Sequence, residues 1–315
     1  MIWSRRWCRA PLLRRRLSGK MVLSHFQASI ALIIGGCMWG VYWIPLTHLE
    51  SLGLVGATAG IALYIGCLIL LLPAIWRYRG ILVSQWRLML FSGLLTGAAF
   101  SSFTTSLAYT EVIRSILLFY LTPVWGTLLG IVFLKEQLTR SRVMVIIVAF
   151  CGLYIILGGG GLPVPRNIGD IFALASGILW AIGSFGLLRA QSVPALAQMI
   201  GFLIGGLVVS LLTFAALNSG KVITLPPISD IAPFAIMYGF YALPMIWLTI
   251  APARLLSPAR VGILLMSEII VGAISAALLS GEPFGTAELA GTILIITAAL
   301  IEVRGSVIGA RPKAS

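Results

Sequence analysis

The chain predicts an all-α integral membrane fold of ten transmembrane helices, arranged as two inverted five-helix repeats. Three observations predict it: a composition that cannot face water, ten apolar runs of membrane-crossing length, and an internal similarity between the two halves. Of the 315 residues 59% are hydrophobic and only 10% charged, with a mean hydropathy of +1.05. A soluble domain carries about 25% charged residues. This chain therefore faces lipid over most of its surface.

A helix crosses the hydrocarbon core in about 17–25 residues. Runs of that kind occur at Ala28–Thr47, Leu54–Trp76, Leu88–Leu107, Val112–Leu134, Val143–Leu157, Ile171–Leu188, Ala195–Leu217, Ile231–Ile250, Ala259–Ser280 and Leu289–Ile301, the fifth and tenth being the shortest. Lipid cannot hydrogen-bond a bare backbone, so these runs are expected to be helices; a barrel would show alternating segments of about ten residues instead. Pro123 and Pro244 are expected to distort their helices and free a carbonyl beside them.

Charge gives the orientation. With the amino terminus in the cytoplasm, the even-numbered connections and both tails hold nineteen Lys and Arg, and the opposite side holds only Arg114, Arg166 and Lys221. The positive-inside rule thus places both termini in the cytoplasm. Topology also accounts for the net charge of +13, so nucleic acid is not expected as a partner. Residues 1–27 read as a basic cytoplasmic extension, 28–161 and 162–304 as the two five-helix repeats, and 305–315 as a cytoplasmic tail. Cys8, Cys37, Cys67 and Cys151 have no paired spacing and read as small apolar residues, with no disulfide or metal site.

The repeats are legible by shifting the sequence on itself. A shift of 141 residues superposes Gly36 on Gly177 and Trp39 on Trp180; a shift of 146 superposes Leu118 on Leu264 and Glu136 on Glu282. Five crossings per half is an odd number, so the halves enter the bilayer from opposite sides. Inverted repeats place a substrate site near the midplane, where the halves meet. The stretch GGGGLPVPRN between them reads as a linker, since no strand precedes it and no Lys-Ser/Thr follows its glycines.

Within this frame the polar residues stand out. Glu268 is the one carboxylate deep in a membrane-length stretch. A charge there costs roughly 2.5–3.5 kcal/mol on insertion scales. It reads as a proton carrier or as the partner of a substrate amino group, against the plainer alternative of a buried acid bonded to Ser267 or a facing helix. Trp39 and Trp180 either line a cavity or fill space between helices, and Tyr42, Phe103, Tyr120, Tyr241 and Trp247 share that ambiguity. Glu136, Glu282 and Asp170 lie at helix ends and read as caps. Spacings such as Gly36–Gly40, Gly93–Gly97 and Gly201–Gly205 allow close helix approach.

The segments GGCMWG, SLAYTEVIRSILLFYLTPVWGTLLGIVFLKEQLT and SGEPFGTAELAG resemble the two EamA domains of the drug/metabolite transporter superfamily, over essentially Ala28 to Val303. The most specific part is the run from Ala108 through Thr-Pro-Val to Lys-Glu-Gln-Leu-Thr. The resemblance implies a ten-helix secondary transporter of the bacterial inner membrane that often exports amino acids or other small metabolites. Two departures bear on substrate. Glu268 is followed by Ile269 where many members have proline, and Gly60-Ile61-Ala62-Leu63-Tyr64 lacks an arginine that many carry.

The expected function is therefore secondary-active or facilitative transport of small metabolites by alternating access, with Glu268, Trp39, Trp180, Tyr42, Phe103, Tyr120, Tyr241 and Trp247 as the substrate-binding or coupling residues. Partners are a small-molecule substrate, the bilayer and protons; no cofactor or metal is expected, and the sequence leaves oligomeric state open. A multidrug or cation exporter of the same fold is the alternative. A membrane enzyme is disfavoured, because His25 and His48 are the only histidines and no acid/base cluster or nucleophile elbow accompanies them. His48 reads as a solvated loop residue. No P-loop supports coupling to ATP.

Overall fold

The computed structural model describes residues 24–134, 140–158, 165–189, 193–220, 224–253, 255, 264–265, 267–281 and 285–309. Glu136, Glu282, most of the glycine linker and the basic extension through residue 23 lie outside them. Every regular element among the described residues is helical. The helices are α1 (His25–Gly40), α2 (Trp43–Ser51), α3 (Ala57–Leu70), α4 (Leu72–Ser84), α5 (Trp86–Leu107), α6 (Val112–Phe119), α7 (Thr122–Leu134), α8 (Arg140–Gly158), α9 (Ile168–Arg189), α10 (Ala195–Leu217), α11 (Ile228–Ala253), α12 (Ser267–Leu279) and α13 (Thr286–Gly309).

Each predicted apolar run contains helix. By length and hydropathy, Phe26–Ser51, Trp86–Leu107, Ala195–Leu217 and Ile228–Pro252 can each cross a membrane, and α3 with α4 makes a fifth only if the two count as one bent span. The expected single span Leu54–Trp76 is corrected here. α3 stops at Leu70, and α4 leaves it at 85°. Pro73 falls in the first turn of α4, where a missing N–H costs nothing.

Proline acts twice more, with different outcomes. Pro123 cannot donate to the Phe119 carbonyl, and the helix divides there into α6 and α7; the Thr122 hydroxyl donates to that carbonyl instead, at 2.6 Å. α11, by contrast, runs unbroken through Pro233, Pro244 and Pro252. α1 begins at a capping box between Ser24 and Gln27, which satisfies two of its orphan backbone donors.

The halves interdigitate through close glycine contacts. A Cβ added to Gly93 would lie 2.5 Å from the Gly201 oxygen, and one on Gly97 would lie 2.2 Å from the Gly206 nitrogen, so α5 and α10 run side by side in the same direction. Gly183 and Gly186 of α9 meet Thr96 and Ser92 of α5 in reversed order, so α9 runs against α5. A second set of three helices repeats the scheme. α11 runs along α3, with Gly66 against Ala235 and Gly239 against Leu70, and runs against α1, with Gly35 against Leu248 and Met38 against Tyr241. Only glycine permits these backbone approaches.

Even a single contact recurs. The sequence shifts equate Gly36 with Gly177 and Phe119 with Leu265. A Cβ on Gly36 would lie 3.4 Å from the Leu265 oxygen, and one on Gly177 would lie 2.8 Å from the Phe119 oxygen.

Candidate functional site

Glu268 lies in the first turn of α12 and is 6% exposed. Its position follows from the packing of α12 along α1: Gly40 leaves room for Gly272, the Trp43 indole donates to the Ser275 hydroxyl at 3.0 Å, and Ser267 donates to the Ile33 carbonyl at 3.1 Å. Ser267, one of the two plainer partners named for Glu268, donates instead to backbone carbonyls, and the other, a facing helix, supplies the contact. From the other side comes Tyr120, at the break between α6 and α7.

The Tyr120 hydroxyl lies 2.6 Å from Glu268 Oε2 and 2.9 Å from the Leu265 carbonyl oxygen. A phenol has one proton to give. When Glu268 is ionised, Tyr120 donates to the carboxylate and can share its proton with the Leu265 carbonyl; when the carboxyl is protonated, Glu268 can donate to Tyr120 and Tyr120 to Leu265 alone. The arrangement therefore has two hydrogen-bonding states that differ by one proton. Among the described residues no Lys or Arg forms an ion pair with Glu268.

An aromatic wall stands beside this acid. Trp39 in α1 donates its indole N–H to the Thr249 hydroxyl of α11 at 2.8 Å, and its ring meets Phe100 edge-on at 4.7 Å and Tyr42 at 5.6 Å. Tyr42, at the junction of α1 and α2, is fully buried. Among the described residues its hydroxyl, like those of Tyr64 and Thr104, has no hydrogen-bond partner. Tyr241 donates to the Met38 carbonyl of α1. Phe103 and Trp180 both face Phe119, with ring centroids 5.4 and 6.4 Å away, and Phe119 packs against Tyr120 at 5.4 Å. Trp247 is 38% exposed, whereas these rings are buried or partly buried. The structure thus joins Trp39 to Tyr42, and Phe103 and Trp180 to Tyr120 through Phe119. The predicted residues Phe103, Trp180, Tyr120 and Glu268 form one chain of contacts.

Sequence reasoning missed Phe100, Phe119, Thr249 and the orphan hydroxyls of Tyr64 and Thr104. Two other residues are corrected. His48 belongs to α2, where its Nδ1 lies 2.9 Å from the Tyr238 hydroxyl and its ring meets Phe234, so it ties α2 to α11 and is not a solvated loop residue. Asp170 does more than cap α9. It receives two bonds from the buried Arg114 guanidinium, at 2.8 and 2.9 Å, one from Thr110 at 2.9 Å and one from the Arg166 N–H at 2.8 Å.

No group of three or more His, Cys, Asp or Glu among the described residues can hold a metal ion. The acid, its phenol and the aromatic rings can do something else. They can bind an uncharged or cationic organic group and exchange a proton.

Residues 27–158 match the model of the EamA-like transporter family. No curated protein matches the chain. A solved structure titled "Crystal structure of protein" is similar with a TM-score of 0.59 at 16% identity, covering 91% of this chain and 100% of that chain; at that identity the likeness concerns the fold alone. With buried glycine-packed helices, apolar outer faces and this match in place, the segment 27–158 is similar to the EamA-like transporter family, and the chain is a helical protein with apolar helices long enough to cross a membrane.

Proposed function

We propose that the protein is a proton-linked carrier of the bacterial inner membrane, with both termini cytoplasmic, that exports a small cationic or zwitterionic metabolite such as an amino acid by alternating access. The observation that carries this reading is the Tyr120 hydroxyl held between Glu268 and the Leu265 carbonyl. It joins a residue of 28–161 to a residue of 162–304. A rocking motion of one half against the other would separate the pair, admit water to the carboxyl and let the proton leave.

The inverted-repeat reading is supported by helix directions. α9, the first helix of the second half, runs against α5, whereas α1 runs along it by way of α11, α3 and α10. Aromatic rings suit an amphipathic cargo, because a ring face attracts cations as well as apolar groups.

The test is transport by the purified protein in liposomes, with a panel of labelled amino acids, other metabolites and organic cations under an imposed pH gradient. Accumulation driven by the gradient in wild type is expected. In Glu268→Gln the amide can donate to Tyr120 as the protonated acid does but cannot lose a proton. The variant should insert normally and keep exchange between equal solutions while losing the response to pH. Unchanged pH dependence in that variant sinks the proposal.

A further inference from the structure

We infer that α4 is an interfacial helix that binds anionic phospholipid headgroups. It leaves α3 at 85°, which is the geometry of a segment lying along a membrane surface when the helix before it crosses. At 100° per residue its positions sort into three strips. Ile75, Tyr78, Ile81 and Leu82 share the face packed onto the protein, Tyr78, Ile81 and Leu82 against the buried cluster of Met89, Val193 and Ala197. On the outer face, Leu72, Trp76 and Val83 form one edge, 58%, 71% and 73% exposed. Arg77 and Ser84 form the other edge, and both are exposed. Arg79, also exposed, lies about 20° from Leu72 beside the apolar edge, so long apolar and basic side chains share the outer face, a composition matched to the headgroup layer.

The charges favour one occupant. Arg79 lies 4.0 Å over the Trp76 ring, Arg87 5.5 Å over Trp86 and Arg77 6.0 Å from Tyr78, so three guanidinium groups lie against aromatic rings of adjacent residues or one helical turn away. The chain has no Asp or Glu from residue 51 to residue 110. Among the described residues none of the three arginines is in an ion pair. Guanidinium groups bind phosphate through paired N–H donors, and Trp with Arg at the interface is the pairing expected for a lipid phosphate between them.

The test uses the full-length protein in a neutral detergent, with native mass spectrometry counting retained phosphatidylglycerol against phosphatidylcholine. Wild type should retain phosphatidylglycerol preferentially, and Arg77→Gln/Arg79→Gln/Arg87→Gln should lose at least about tenfold of that preference, given that each basic residue near an anionic surface adds several-fold. A charge-matched control, Lys135→Gln/Arg140→Gln/Arg142→Gln, should retain it. If the triple variant does not fold, Arg79→Gln alone must still lower retention, because its side chain is exposed. Equal retention by wild type and variant overturns the inference, as does equal loss in the control or complete displacement of the lipid by millimolar inorganic phosphate. None of these outcomes depends on transport.

Discussion

Two buried carboxyls, Asp170 and Glu268, show how differently a membrane protein can treat the same group. Asp170 receives four hydrogen bonds, two of them from a guanidinium that is itself buried. Every lone-pair direction is answered, so the charge is fixed. Glu268 meets a single phenol that is also near a carbonyl, and its contacts can be satisfied with a proton on board or rearranged without one. The difference teaches that burial alone does not mark a working acid. What marks it is burial with a partner that tolerates both protonation states.

The largest effect should come from breaking the fixed pair. Arg114→Met strands the Asp170 charge and should destabilise the protein by about 3–5 kcal/mol, read as a large drop in thermal unfolding temperature in detergent. Arg114→Met/Asp170→Leu removes both charges and should recover most of that loss. If the single variant unfolds like wild type, Asp170 is not the structural acid described.

Next in size is a packing change that touches neither acid. Gly97→Val places side-chain carbon against the backbone of α10 and should cost on the order of 1–3 kcal/mol or prevent folding, measured in the same unfolding assay. The comparison sharpens at Tyr120→Phe, which leaves Glu268 without its phenol. Stability should change by no more than about 1–2 kcal/mol, whereas the pH at which transport is half-maximal should move. A transport profile that coincides with wild type would mean that the phenol only fills space. Trp39→Phe should be smallest, losing one neutral hydrogen bond to Thr249, about 1 kcal/mol, with a modest rise in the substrate concentration for half-maximal transport.

The repeat adds a second contrast. Shifting Glu268 back by 146 residues lands on Thr122, whose hydroxyl bonds the Phe119 carbonyl, and shifting Asp170 back by 141 lands on the buried Ser29 of α1. Each acid thus has an uncharged counterpart in the other half. Both acids lie within residues 162–304, and the equated positions in 28–161 carry hydroxyls.

Helix positions were legible because lipid imposes a length and an apolar composition on every crossing, and the break at Pro123 because proline lacks a donor. Glu268 stood out because its cost in lipid is visible in one letter of sequence. Its partner was not legible to the same degree. Tyr120 was one aromatic residue among several, and the role of Thr249 depends on a neighbour 210 positions away.

The sequence by itself determined that this is a helical membrane protein, since composition and span length are local properties of the chain. Only the tertiary structure decided which acid is held by four hydrogen bonds and which meets a single phenol, that α4 turns out of line with α3, and that His48 braces α11. Those outcomes depend on which side chains meet across the fold, and hydrogen-bond partners at long separation leave no periodic trace in the order of residues.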